Sequence, residues 1–247
     1  MTKDTSYGGY LRLDLLLGSQ QPAGAGHDEM LFIIIHQASE LWMKLCLHEL
    51  SAAREAIAAD NLGPAFKMLA RVARIQTQLI QSWDVLATMT PWDYSAIRPH
   101  LGPSSGFQSH QYRLIEFMLG QREQKMADMH AENPEAHALL TAELARPSLY
   151  DEAIALLGRR GLPVTDIEGA WATVYADVSR YWDLYDLAEK LVDLEYRVQQ
   201  WRFAHLKTVE RIIGNKRGTG GTVGAAYLEA VLKKRFFPEL LSVRTIL

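Results

Sequence analysis

An all-α fold is predicted for this chain, and three observations predict it. Apolar residues recur at three- and four-residue steps over long stretches, the period of a helix with one face in a core. No run of alternating apolar and polar residues is long enough to make a convincing strand. Prolines and glycines fall between the periodic stretches, where helices start and stop. The chain of 247 residues is long enough to bury a full core. It reads as a single helical domain over 1–247, with long bundle-forming helices and with 1–22 as an N-terminal arm.

Taken in order, 7–22 is a turn followed by a short apolar segment. Its Tyr7, Tyr10, Leu11 and Leu13 suit packing on the same domain or on another subunit. Asp28 is placed as N-cap of a helix over 29–59. In that helix Leu31, Ile34, Ile35, Ala38, Leu41, Leu45 and Ala52 make one broad apolar face, with Phe32 and His36 four apart on an adjoining one. Pro64 suits the first turn of the next helix, which continues over 66–89. Thr90-Pro91-Trp92-Asp93 restarts a short helix that ends near Pro99 and aims Tyr94 and Arg98 the same way. Residues 101–108 form a turn rich in Gly and Ser, and a helix follows through Gly120. Short helices are predicted over 121–132 and 134–145, and Ser148 with Asp151 caps another through Leu157. Residues 158–169 read as a loop, 170–213 as one long helix and 225–235 as the last helix, with Pro238 helping to stop it.

Residues 201–221 (WRFAHLKTVERIIGNKRGTGG) concentrate the chemistry. Val198, Trp201, His205 and Ile212 fall at helical steps, so His205 lies on the apolar stripe. A buried imidazole without a partner costs roughly 1–3 kcal/mol. A hydrogen bond to a neighbour would satisfy it, and so would a metal, with haem iron the natural one for a single histidine among aromatics. Gly214, Gly218, Gly220, Gly221 and Gly224, with Lys216 and Arg217, make a basic, conformationally free loop suited to a carboxylate or phosphate. His36 beside Phe32 suits a pocket wall offering one hydrogen bond, or a satisfied core position. Arg98 with Tyr94 suits a carboxylate clamp, since the guanidinium fork pairs with both oxygens and the phenol adds a donor. An exposed arginine under a tyrosine would show the same spacing.

Composition removes other classes. A net charge of −3 gives no reason to expect nucleic acid. The longest apolar run, 30–35, is too short to span a bilayer, and no signal-peptide pattern opens the chain. Cys46 is the only cysteine, which leaves no internal disulfide or thiolate cluster and points to the cytosol. Zinc-type spacings, phosphate-binding glycine motifs and a serine-nucleophile elbow are all missing from the sequence.

The blocks YGGYLRLD, HDEMLFIIIHQASELW, LGPSSGFQSHQYRLIEF, WRFAHLKTVERIIG, KRGTGG and FFPEL span nearly the whole chain. Together they resemble the tryptophan 2,3-dioxygenase family of the bacterial type. The resemblance implies a cytoplasmic homotetramer, a dimer of dimers, of helical subunits. It implies haem b, ferrous in the active form, and insertion of both atoms of O2 into the indole C2–C3 bond of L-tryptophan. The product would be N-formylkynurenine, in the first step of the kynurenine pathway. Residue by residue, His205 matches the haem-iron ligand and His36 the histidine that accepts the indole N–H, with Phe32 lining the same pocket. Arg98 and Tyr94 match the pair that holds the substrate carboxylate, and Thr219 the threonine that meets its ammonium. Ser105 and Gly218 fall on the haem side, and Leu101 packs nearby. Tyr7 matches a pocket tyrosine, while Tyr10 and Leu11 resemble residues lent by a neighbouring subunit. The connection between Pro163 and Ala170 is shorter than the family's. A helical oxygen carrier or sensor would explain His205 and His36 but not Arg98, Tyr94 and Thr219.

Overall fold

The computed structural model describes residues 5–24, 26–102, 104–219 and 224–247. Three long helices carry the fold: α3 (Asp28–Ala58), α4 (Leu62–Leu86) and α11 (Trp182–Ile213), with α4 packed against both others. Before them, α1 (Tyr7–Leu11) and α2 (Leu13–Leu17) are single turns joined at Arg12, whose φ of 53° is left-handed. Between α4 and α11 run α5 (Pro91–Ile97), α6 (His110–Leu119), α7 (Gln124–Asp128), α8 (Pro134–Leu144), α9 (Leu149–Arg159) and α10 (Ile167–Ala176). The chain closes with α12 (Ala225–Leu232) and α13 (Pro238–Ile246). No strand occurs among the described residues, as the helical periodicity predicts.

The main core is built where the long helices meet. Leu50, Ala53 and Ile57 of α3, Leu69 and Val72 of α4, and Leu187, Leu191 and Leu194 of α11 belong to one buried cluster, with α4 between the other two helices. Each fully buried Leu or Ile contributes roughly 1.5–3 kcal/mol by leaving water. Trp171 on α10 and Phe237 before α13 are buried within the same cluster. A second, smaller cluster of Leu86, Met89, Ile97 and Ile212 lies among Phe32, Ile35, Trp83 and Tyr94. It joins the helix ends that frame the functional pocket.

Several starts follow the sequence closely. Thr90 and Ser148 each close a reciprocal capping box with an aspartate three residues on, and Ser109 caps α6. Such caps contribute typically about 1 kcal/mol each. Gly120 takes φ 117° to end α6, a conformation that side chains resist.

Other boundaries differ from the expectation, each for a physical reason. Asp28 is the first helical residue of α3 and not its cap, because Glu29, buried one position later, reaches back to the N–H groups of Ala23 and Gly24. The long helix expected over 170–213 is two helices. Asp177 leaves the helical region and accepts hydrogen bonds from Ser179 Oγ at 2.9 Å and Arg180 N–H at 3.2 Å, so a local side-chain turn outcompetes the helix. Upstream, Asp166 caps α10 through Gly169 N–H, which starts that helix three residues early. Pro238 opens α13 as well as following α12, in keeping with proline's preference for a first turn. The stretch 121–132 keeps only the short α7. Gly220 and Gly221 of the glycine loop lie outside the described residues.

The broad apolar face expected on α3 is divided in the structure. Leu31 and Ile35 join the second cluster, the core takes Met43, Cys46, Leu50, Ala53 and Ile57, and Met30, Ile34, Leu41 and Leu45 stand exposed along one stripe. By length and composition α3 is apolar enough to cross a membrane although the run 30–35 alone is not. Here it packs along α4, α6 and α9.

Candidate active site

A large pocket of about 240 Å³ opens between α3, α4, α6, α11 and α12. One wall comes from α3, where a turn of helix sets Phe32 and His36 on the same side with ring centroids 4.1 Å apart. The Nδ1 of His36 lies 2.7 Å from the Phe32 carbonyl oxygen. A carbonyl only accepts, so Nδ1 carries the proton and Nε2 presents a lone pair. Burial pulls the His36 pKa below 6.5, against the smaller opposing influence of that carbonyl and of Glu40. The imidazole is therefore neutral at pH 7, an acceptor fixed in tautomer by its own helix.

The opposite wall is α11. His205 lies with its ring 4.4 Å from the indole of Trp83 on α4, the planes 9° apart, and 5.5 Å from that of Trp201. Among the described residues nothing hydrogen-bonds its ring, so the satisfied-core alternative finds no partner here. Burial, with His36 adding to it, pushes its pKa down to about 4. A neutral imidazole that opens onto a cavity is the form in which histidine ligates a metal.

At the pocket's edge, Tyr94 lines the wall 6.4 Å from Phe32. Burial raises its pKa, which keeps the phenol a donor. Arg98 stands beside the lining and not in it. Its Nη2 donates to the Arg217 carbonyl at 2.7 Å, and its Nη1 is buried without a partner among the described residues. Thr219 Oγ1 donates to the Ser104 carbonyl at 2.5 Å, leaving its lone pairs to accept. Ser105 accepts from Phe107 N–H to hold the turn; Ser105, Leu101 and Gly218 all line the pocket. Tyr7, Tyr10 and Leu11 do not; the two tyrosines are 78% and 76% exposed on the arm.

The sequence reading missed the floor. Arg202 donates to Glu116 at 2.9 Å and to the Tyr112 hydroxyl at 3.2 Å, and Arg113 donates to Glu116 at 2.5 Å. The Arg113 guanidinium also lies 4.6 Å from the Phe107 ring centroid. Both arginines and the glutamate are buried, so this cluster holds one positive charge in excess. The i,i+3 spacing of Arg113 and Glu116 was legible, but the third member comes from α11. Along α11, Glu195, Gln199 and Arg202 recur every four or three residues and bind the backbone of 231–237, tying the end of α12 to the pocket.

These residues suit haem. An imidazole with no hydrogen bond among the described residues, beside flat indoles, and the buried Arg113 and Arg202 fit a planar iron macrocycle that carries two carboxylates, with Glu40 lining the same pocket. The fold and site thus define a helical protein built around one large pocket lined by aromatic rings, two imidazoles and buried charged groups. The model of the tryptophan 2,3-dioxygenase family matches residues 1–149 and 127–247. The chain is 65% identical to the tryptophan 2,3-dioxygenase of Erythrobacter litoralis (strain HTCC2594), over 99% of each chain. It is 55% identical to that of Bacillus anthracis, over 98% of this chain and 93% of the relative. The first alignment spans 261 positions, more than this chain's 247 residues, so that relative carries residues missing here. The chain belongs to the tryptophan 2,3-dioxygenase family.

Proposed function

We propose that this chain is a haem-dependent dioxygenase that inserts both atoms of O2 into the indole C2–C3 bond of L-tryptophan, giving N-formylkynurenine and opening the kynurenine pathway. The observation that carries the reading is a fixed acceptor in the pocket wall, His36 Nε2, together with a donor beside the lining, Arg98 Nη1, which is buried without a partner among the described residues. L-Tryptophan offers the matching donor and acceptor at its two ends. Ferrous haem b, held through His205 and flanked by Ser105 and Gly218, supplies the oxygen chemistry when bound. Arg113 would offer charge to its propionates, and Arg202, whose N–H groups are engaged within the protein, would add positive potential only.

The chain's own residues orient the substrate. His36 accepts the indole N–H, and Phe32 and Leu101 flank the ring. Arg98 with Tyr94 takes the carboxylate, and the lone pairs of Thr219 take the ammonium. Holding both ends fixes the C2–C3 edge, and positioning of this kind lowers a barrier without new chemistry. A ligand without the carboxylate leaves Arg98 unpaired, so tryptamine and indole are rejected.

Assembly belongs to the same proposal. The exposed stripe of Met30, Ile34, Leu41 and Leu45 and the apolar arm with Tyr7, Tyr10 and Leu11 suit burial between subunits. A homotetramer, a dimer of dimers in the cytosol, would cover both and bring the arm to a neighbour's pocket.

The test is the absorption spectrum of haem-loaded protein, ferric and then reduced, with L-tryptophan added under air. A Soret band that is lost in His205→Ala, with growth of N-formylkynurenine absorbance in the parent, is expected. Haem binding with no turnover would replace the reading with an oxygen carrier or sensor. No stoichiometric haem would overturn it.

A further inference from the structure

Behind the pocket's inner wall lies a second, smaller cavity, bounded by Cys46, Leu79, Ile115 and Val198 with Gln76 at its side. We propose that this cavity is a docking site for an apolar diatomic gas, and that in the working protein it holds O2 for the large pocket. The choice of O2 rests on the proposed dioxygenase function; the affinity of the cavity for an apolar gas does not.

Size and lining point to the occupant. About 30 Å³ is open to the centre of a water-sized particle, roughly twice what one water needs. Water, however, requires two to four polar partners, and apolar cavities of adequate size stay dry and take up xenon. Here the polar groups are largely spent. Both Glu116 oxygens are engaged by Arg113 and Arg202, and the Tyr112 hydroxyl lies against Arg202. Among the described residues Gln76 Oε1 is an acceptor left buried without a partner. One orphan acceptor holds a water poorly. The Cys46 thiol is no rival, because burial pushes its pKa up to about 12 and keeps it a neutral apolar wall.

Location supplies the role. Tyr112 and Trp201 line both the small cavity and the large pocket, and their rings stack 5.0 Å apart at 29°. They are also the least buried of the small cavity's walls. Trp201 sits one helical turn before His205 and against its ring. A swing of that stacked pair would join the two spaces beside the haem ligand, so a gas held there has a short route to the chemistry.

Xenon under pressure in crystals of the haem-loaded protein tests the site directly. One xenon peak between Cys46, Leu79 and Val198 is expected; an ordered water on Gln76 Oε1 in its place would overturn the proposal. Flash photolysis of carbon monoxide from the ferrous protein tests the route. Cys46→Leu and Leu79→Phe, which fill the cavity, should slow bimolecular carbon monoxide association several-fold while leaving L-tryptophan affinity unchanged. Val198→Ile makes the same test by a smaller change if either variant fails to fold. Unchanged association in a variant whose crystal structure shows the cavity filled would refute the route. Should the protein bind no haem, the same xenon peak in crystals of the haem-free protein would sink the proposed function and leave the gas site standing.

Discussion

Arg98→Ala separates a substrate clamp from a loop support, because the side chain is placed to do both. One guanidinium nitrogen, Nη2, donates to the Arg217 carbonyl at 2.7 Å and steadies the loop that carries Thr219. The other, Nη1, is buried with no partner among the described residues, and Tyr94 lies one turn away on α5. Truncating one partner of a buried charged pair costs about 2–5 kcal/mol. Arg98 is half-buried, so the lower part of that range applies: about 2–3 kcal/mol, or roughly a 30- to 150-fold loss in kcat/KM for L-tryptophan. The informative assay compares substrates. Tryptamine has no carboxylate, so a clamp predicts that Arg98→Ala leaves its already poor kcat/KM nearly unchanged. A loop support predicts equal losses for both. An effect on L-tryptophan below about 1 kcal/mol, under the range for a truncated pair, would refute the clamp. So would matching losses on the two substrates.

Three further outcomes are expected. Glu116→Gln leaves the buried Arg113 and Arg202 without their carboxylate; breaking such a pair costs about 3–5 kcal/mol, which denaturant unfolding of the haem-free protein will read, and a loss under about 1 kcal/mol would count against a buried network. Ile34→Glu with Leu41→Glu places charge on the exposed stripe of α3 and is expected to lower the mass seen by light scattering from that of the proposed homotetramer toward the 27.9 kDa monomer; an unchanged mass would put the interface elsewhere. The third concerns pH. His36 has a folded pKa lowered from 6.5 by burial, with the Phe32 carbonyl and Glu40 acting the other way and His205 nearby. It therefore stays neutral as pH falls through 6.5. The kcat/KM for L-tryptophan should hold through 6.5 and drop only at lower pH, as the acceptor nitrogen gains a proton. In that window the unfolded chain binds more protons than the folded one, so stability falls in the same direction. An acid limb at or above 6.5, or one that survives in His36→Phe, would remove His36 from substrate binding.

How far the sequence spoke for itself depended on whether neighbours in space were neighbours in the chain. Phe32 with His36 and Tyr94 with Arg98 are four apart, so helical geometry alone brings each pair together, and the structure does. The stack of Trp83 on His205 joins α4 to α11, and no local spacing announces it. The floor is the sharper case. Arg113 and Glu116 read as an ordinary i,i+3 pair, whose charges cancel, until Arg202 arrives from another helix and leaves one positive charge over. That grouping is a property of the tertiary structure, and it sets two buried arginines in the pocket lining. The face of α3 was hard to read for a different reason. Its apolar residues serve the pocket, the core and an exposed stripe in turn, so periodicity identifies the helix without saying which stripe meets which neighbour. The break at Asp177 is a contest between two local hydrogen-bonding schemes. A stretch carrying Asp177 and Ser179 amid an apolar repeat keeps the helical period on both sides, yet its side chains hold the backbone in a turn at the point where period alone predicts continuity. A continuous helix through 177–181 would have to shift Trp171, which is fully buried in the core and donates to the Tyr150 hydroxyl of α9. Burial of that indole therefore opposes the continuous helix, and local and tertiary preferences agree on the bend.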